Sequence, residues 1–387
     1  MKEAVTIADL RMMARRRLPK TIFDYIDGGA GDEITLRANS AEFDALSFRP
    51  RVLVDVSRRD LSVSILGRDA AFPMIISPTG LSALARHDAD RALARAAAAH
   101  GIPIVLSSNA SIRLEDFARA APDGRHWFQI YVYKDRELVR SLVERALAAD
   151  YEALVLTADL PVVGQRDRDE RNGFTIPFRI SPRFVWDVLR RPRWTAHILR
   201  DGVPRIENFV EPGAPPEPPD AMIRVISEKM DPSMDWDGAE WLRQIWPRKL
   251  VIKGVLSPAD ATEAVARGFD AIAVSNHGGR QADGSVAAIS ALPGIVAAVD
   301  GRAEVFLDGG VRRGASIAKA LALGANAVMA GRPTLFGVAA AGEAGAMRAL
   351  SIFRDEFDRC LALVGCPKAS GLDRSYLDSV PDNWSRS

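Results

Sequence analysis

The sequence predicts an α/β protein whose parallel strands close into a barrel, on three observations. Short apolar, β-rich runs alternate with helical stretches from residue 73 onward; eight such runs can be counted; and no glycine-rich dinucleotide fingerprint follows the first. The runs are PMIIS (73–77), IPIVLS (102–107), WFQIYV (127–132), ALVLTAD (153–159), KLVIKG (249–254), AIAVSN (271–276), EVFLDGG (304–310) and AVMAG (327–331). Helical stretches separate them at 88–99, 113–121, 135–149, 258–267, 287–299 and 313–323. Eight βα units read as a (β/α)8 TIM barrel, a fold of about 250 residues. A doubly wound sheet would need G-x-G-x-x-G after its first strand, and the sequence there is SPTGLSAL.

The remaining chain frames this barrel. Residues 1–72 read as an N-terminal extension, helical at 6–17 and 21–27, and the barrel itself as 73–387. A long insertion, 161–236, follows the fourth strand; it is too long for an ordinary βα loop and contains the proline-rich stretch EPGAPPEPPD at 211–220, which reads as an extended or mobile linker.

Composition narrows the functional classes. The 387 residues are 48% hydrophobic, enough for a large core, which excludes a disordered or collagenous chain. With 51 basic and 50 acidic residues the net charge is +1, so there is no long-range field to gather nucleic acid. Cys360 and Cys366 stand without further ligands in a zinc-like spacing, so no metal site is expected, and a reduced, cytoplasmic protein is the natural expectation. The first twenty residues lack the apolar run of a secretory signal, and no segment approaches the roughly 20 apolar residues of a spanning helix.

In such a barrel the active site lies at the carboxyl ends of the strands, and here that ring is polar. It reads Pro78, Thr79 and Gly80 after the first strand, Ser107, then Gln129 and Tyr131, then Thr157 and Asp159, Lys253, Ser275 with His277, Asp308 to Gly310, and Gly331 with Arg332. The last two corners form a phosphate cradle, because glycines let main-chain N–H groups approach an anion and Arg312 and Arg332 add charge. Lys253, one of eight lysines, ends an apolar strand and can stabilise negative charge on a cofactor ring. A lone histidine is more often structural, but His277 follows a strand directly, precedes two glycines and lies three residues before Arg280. An arginine binds a carboxylate bidentately and a neighbouring histidine moves a proton, so the pair points to a small carboxylic acid attacked at the adjoining carbon. Asp159 on the same rim can hold the imidazole.

SNHGGRQADG (275–284), LDGGVRRG (307–314), ALGANAVMAGRP (322–333) and YIDGGAGDE (25–33) resemble the FMN-dependent 2-hydroxy acid dehydrogenases and oxidases over essentially the whole chain. VDVSRRDL (54–61), PTGL (78–81) and WLRQIWPRKLVIKG (241–254) are most similar to the mandelate dehydrogenase branch, and residues 191–209 to the lactate dehydrogenase branch. The resemblance implies oxidation of an (S)-2-hydroxy acid, of mandelate or lactate type, to the 2-oxo acid. It implies that Pro78, Thr79, Gly80, Ser107, Gln129, Thr157, Lys253 and Ser275 hold the FMN ring, and Asp308, Gly309, Gly310, Arg312, Gly331 and Arg332 its ribitol and phosphate. Tyr25, Arg166 and Arg280 would bind the substrate carboxylate, Tyr131 its hydroxyl, with His277 as base and Asp159 as its partner. The PTG corner, where oxygen-using members commonly read PTA, leans towards a dehydrogenase that passes electrons to a quinone or other carrier. The alternatives are an oxidase that makes hydrogen peroxide and, from another class, a non-catalytic barrel that binds a phosphorylated ligand.

Between 176 and 200 the insertion mixes Ile176, Phe178, Ile180, Phe184, Trp186, Leu189, Trp194 and Leu199 with Arg179, Arg183, Arg190, Arg191, Arg193 and Arg200. Aromatic anchors among arginines suit the headgroup layer of an anionic membrane, so peripheral attachment to the inner face of the cytoplasmic membrane is expected; the competing reading is a lid packed on the barrel. The resemblance also implies a homo-oligomer, a tetramer.

Overall fold

The computed structural model describes residues 3–131, 133–174, 181–210, 229–378, 380–381 and 384. All eight apolar runs become strands of one closed parallel barrel: β3 (Met74–Ile76), β4 (Pro103–Ser107), β5 (Arg125–Ile130), β6 (Ala153–Thr157), β7 (Lys249–Val255), β8 (Ala271–Ser275), β9 (Glu304–Asp308) and β10 (Ala327–Ala330), with β10 returning to β3. The runs are continuously apolar because each strand is covered on both faces. Inside the barrel Ile75, Val105, Val155, Val251 and Met329 pack around the tilted rings of Trp127 and Phe306, 5.9 Å apart, and alanines at 153, 271, 273 and 327 leave the room these rings need. Strand β5 begins two residues before its apolar run because Arg125 and His126 pair in register with Pro103 and Ile104.

Residues 1–72 contain more than helices. Helices α1 (Ile7–Arg17) and α2 (Lys20–Asp27) lie where expected; α1 is opened by a capping box in which Thr6 accepts from the Asp9 amide and the Asp9 carboxylate accepts from the Thr6 amide. Beyond the expectation come α3 (Ile34–Asp44) and a hairpin of β1 (Val63–Ile65) and β2 (Arg68–Ala70). Its turn, Leu66-Gly67, takes positive φ at both residues, 52° and 79°, the geometry of a two-residue hairpin. Ile65, Leu66 and Ala70 join the interior cluster and close the barrel at the end away from the strand carboxyl termini.

Within the insertion, helices occupy Asp167–Arg171, Pro182–Leu189 and Pro192–Asp201, and helix Trp236–Ile245 leads into β7. The proline-rich stretch at 211–220, with Ile176, Phe178, Arg179 and Ile180, lies outside the described residues.

Arg125 fastens the hairpin. Its guanidinium donates to the carbonyls of Ile65 at 2.7 Å, Arg68 at 3.2 Å and Asp69 at 3.0 Å, and pairs with Glu152, which leaves little of either side chain exposed. Replacing it strips these bonds together and leaves the Glu152 carboxylate with only the Trp127 indole N–H at 3.3 Å and Arg68 at 3.7 Å, so Arg125→Ala is expected to cost about 3–5 kcal/mol. A thermal melt should show a Tm several degrees lower; an unchanged Tm would mean the hairpin is held some other way.

Candidate active site at the carboxyl ends of the strands

Parallel register brings the strand-end residues side by side. Ser107 stands opposite Gln129, Thr157 opposite Lys253, and Ser275 opposite Asp308, which in turn neighbours Met329. Ser107, Thr157, Lys253, Asp308 and Met329 line a cavity of about 530 Å³ together with Tyr25, Pro78, Thr79, Gly80, Tyr131, Arg166, His277, Arg280, Gly309, Gly310, Arg312, Gly331 and Arg332. Gln129, Asp159 and Ser275 sit just behind this wall, each bonded to a lining residue: Ser107 Oγ donates to Gln129 Oε1 at 2.9 Å, His277 meets Asp159, and Lys253 donates to Ser275 Oγ at 2.9 Å. The residues singled out from the sequence therefore converge on one place.

Lys253 is almost wholly buried, with its Nζ 2.8 Å from Asp308 Oδ2, and Asp308 also accepts from Ser77 at 2.6 Å and Ser275 at 2.7 Å. Burial is the largest influence on the lysine and opposes its charge, but Asp308 and Asp159 outweigh it and raise its pKa. Burial likewise disfavours the Asp308 anion, yet Lys253 and the two hydroxyls hold its pKa below the usual value. A fixed ammonium thus sits at the floor of the mouth at neutral pH.

His277 adopts φ +57°, unusual for a residue with a side chain, and its amide donates to Ser275 Oγ at 3.0 Å. Its Nδ1 lies 2.9 Å from Asp159 Oδ1. Burial opposes ionisation of Asp159, but His277 and Lys253 lower its pKa, so it is a carboxylate and can only accept. Nδ1 must therefore carry a hydrogen, so in the neutral ring the lone pair is on Nε2. Asp159 reaches this position because residue 254 is glycine: a Cβ there would come 2.6 Å from the Asp159 Cβ, and Gly254 has φ +106°.

The other side of the mouth is cationic. Arg280 donates to the carbonyls of Tyr25 at 2.7 Å and Gly28 at 3.1 Å; Arg332 donates to those of Ile26 at 3.0 Å, Gly28 at 2.7 Å and Gly278 at 2.8 Å. Burial, then Arg166, brings Arg280 down to about 9; burial, then Arg312, brings Arg332 down to about 10; and burial brings Arg312 to about 10. All three remain charged at neutral pH, crowded and bonded to carbonyls rather than carboxylates. Arg280 and Arg166 also lie over the Tyr25 ring, at 5.1 Å and 5.7 Å from its centroid. Burial, followed by Asp159 and Tyr25, raises the Tyr131 pKa, so its phenol keeps its proton.

The FMN implied by the sequence fits these residues on two counts. Gln129 Nε2 is buried without a protein partner, a donor awaiting an acceptor such as a ring carbonyl. Gly331 precedes a helix (Arg332–Ala341) that no side chain caps, and with Arg312 and Arg332 beside it this end suits a phosphate.

Several contributors escaped the sequence reading. Asn39 and Asn276 exchange side-chain hydrogen bonds at 2.8 and 2.9 Å and pin α3 to the His277 corner. Phe174 stacks beside Tyr25 with centroids 4.5 Å apart, and Asp169 lines the cavity next to Arg166. Gln281 spans two loops of the rim. Asn276 and Gln281 both lay inside a motif already singled out, SNHGGRQ.

Comparison with known proteins agrees with the geometry. The model of the FMN-dependent dehydrogenase family matches residues 14–379. The chain is 42% identical to (S)-mandelate dehydrogenase of Pseudomonas putida over 96% of its own length and 93% of that protein. It is 43% identical to L-lactate oxidase of Nostoc sp. over 96% and 98%, and 39% identical to human 2-hydroxyacid oxidase 1 over 97% of each. Among solved structures, one titled monotopic membrane protein (S)-mandelate dehydrogenase superposes with a TM-score of 0.94 at 42% identity, covering 98% of this chain and 100% of that one. A mandelate oxidase variant bound to (S)-mandelic acid superposes at 0.82 with 35% identity, covering 97% and 98%. The chain is accordingly a member of the FMN-dependent 2-hydroxy acid dehydrogenase and oxidase family, a TIM-barrel enzyme with FMN as its cofactor.

Proposed function

We propose that this enzyme oxidises an (S)-2-hydroxy acid of mandelate or lactate type to the 2-oxo acid and passes the electrons to a quinone or similar carrier. The observation that carries the reading is a histidine–carboxylate pair and two arginines lining one cavity. FMN, when bound, supplies the two-electron acceptor. Arg166 and Arg280 bind the substrate carboxylate through the N–H groups left free by their other contacts, and both guanidinium groups pack against the Tyr25 ring. The Tyr131 phenol bonds the substrate hydroxyl. His277 Nε2 takes one of the two protons the oxidation releases, and Asp159 stabilises the imidazolium that results. Lys253 and the arginines offset the negative charge that develops, with no reorganisation needed. Leu160, Val163 and Phe174 form an apolar wall of the same cavity, which favours a bulky substituent such as phenyl over methyl.

The oxidase reading is favoured by the similarity to L-lactate oxidase. Against it stands Gly80, in the PTG corner that resembles the dehydrogenase branch. Oxygen uptake compared with quinone reduction separates the two. Family membership sets aside the non-catalytic barrel.

Attachment to a membrane is the second part of the proposal. No helix among the described residues is long and apolar enough to cross one. Helices Pro182–Leu189 and Pro192–Asp201 present Trp186 and Leu189, each 63% exposed, and Leu199, 81% exposed, next to exposed Arg190, Arg193 and Arg200. Trp194 instead turns inward and donates to the Leu84 carbonyl at 2.8 Å, tying the pair to the barrel. This supports a peripheral anchor on an anionic membrane; the cytoplasmic face and a tetrameric assembly are proposed from the family resemblance alone.

Two outcomes test the reading. His277→Ala should retain FMN yet lose flavin reduction by substrate without oxygen by at least about 100-fold, the usual contribution of a general base, and Asp159→Asn should lose less; near-parent reduction in the histidine variant removes it from the mechanism. The triple variant Trp186→Ser, Leu189→Ser, Leu199→Ser should no longer sediment with vesicles containing anionic lipid while its flavin is still bleached by substrate, and unchanged sedimentation defeats the anchor.

A further inference from the structure

Gln281 lines the cavity beside His277 and Arg280, and its side-chain amide is bonded to the loop that carries both Asp159 and Arg166. Its Nε2 donates to the carbonyls of Asp159 at 3.0 Å and Val162 at 3.3 Å, and its Oε1 accepts from the Gly164 amide at 3.2 Å. On its own loop it is the next residue after Arg280 and the fourth after His277. The two loops lie so close at this point that only glycine fits at 164, where a Cβ would stand 2.6 Å from the Arg280 carbonyl and 2.8 Å from the Gln281 Cα. Gly31 also donates its amide to the Gln165 carbonyl at 3.1 Å, so the stretch between Asp159 and Arg166 is gripped again by the segment that follows Tyr25.

We propose that Gln281 is a positioning residue that sets the distance between the base and the carboxylate-binding arginines. Three backbone groups of 159–164 are satisfied by one planar amide, so the loop cannot slide along the β8 corner without breaking several bonds at once. Asp159 is held from both ends: its carboxylate by His277, and its carbonyl by Gln281. A shift of the loop would turn the His277–Asp159 pair and move Arg166 relative to Arg280 together, which a loss of packing elsewhere would not do. The inference rests on the reading of His277 as base.

The test uses the FMN-loaded enzyme in single-turnover reduction without oxygen. Gln281→Ala removes all three bonds; Gln281→Glu keeps the shape and an acceptor for Gly164 but has no donor for Asp159 or Val162. Both should lower the limiting rate of flavin reduction by at least about tenfold, since a misplacement near 1 Å can cost a factor of about 100. Both should also weaken binding of a non-reacting aromatic carboxylate, while FMN content stays at the parent level. A limiting rate within about threefold of the parent, below the 1.36 kcal/mol that tenfold represents, in whichever variant loads FMN overturns the proposal, as does a slow rate with parent-like carboxylate binding. His277→Ala in the same assay separates the two claims: a parent-like rate there refutes the base itself, whereas an inactive histidine variant beside parent-like Gln281 variants refutes only the positioning role.

Discussion

The site depends on how the last turn of α2 is held at the barrel mouth. Helix carbonyls at a carboxyl terminus have no partner within the helix and carry the negative end of its dipole. Here those of Tyr25 and Ile26, with that of Gly28 just beyond, accept hydrogen bonds from Arg280 and Arg332, which come from the β8 and β10 corners. The arrangement does two things. It gives two guanidinium groups partial compensation in a poorly solvated place, and it delivers the Tyr25 ring into the cavity. The N-terminal extension thus contributes Tyr25 and Ile26 to the wall of the cavity.

Partial compensation is the point. Lys253 has a carboxylate of its own in Asp308 and forms a closed, well-satisfied pair. Arg280, Arg312 and Arg332 receive carbonyl oxygens instead, and burial lowers all three, helped by Arg166 at Arg280, by Arg312 at Arg332 and by Arg11 at Arg312. Charges left in this condition are costly to the empty protein and favour anions. On the proposed reading the enzyme has two anions to bind, the FMN phosphate and the substrate carboxylate, and the arginines would be divided between them along the rim. The same field assists the chemistry, because negative charge developing between Lys253 and the arginines meets donors already in place.

Much of this was legible in the chain. Doubly covered strands of a closed barrel are continuously apolar, so all eight could be counted, and the carboxyl-end rule then placed Lys253, His277, Asp308 and Arg332 on one rim. What stayed hidden depends on contacts distant in sequence. The β1–β2 hairpin is a plug, recognisable only once the barrel exists for Ile65 and Leu66 to enter. Strand β5 starts at polar Arg125 and His126 because pairing, not hydrophobicity, sets its beginning. Asn39 and Gln281 act through side-chain amides on loops more than 100 residues away; nothing beside Asn39 marks it, and the motif around Gln281 points to His277 and Arg280, not to the loop its amide holds. Gly254 reads as an ordinary strand-end glycine until the Asp159 side chain is seen against it.

The central claim is that arginines at the mouth recognise a carboxylate and so place the adjoining carbon beside His277. Its most direct test is a titration of the oxidised enzyme, without oxygen, with a 2-hydroxy acid and with the amide of the same acid, followed by bleaching of the flavin. The two compounds match in shape and differ in charge. The account predicts that the acid bleaches the flavin readily and that the amide does so far more slowly and only at much higher concentration. Equal rates and equal half-saturation for both would contradict it.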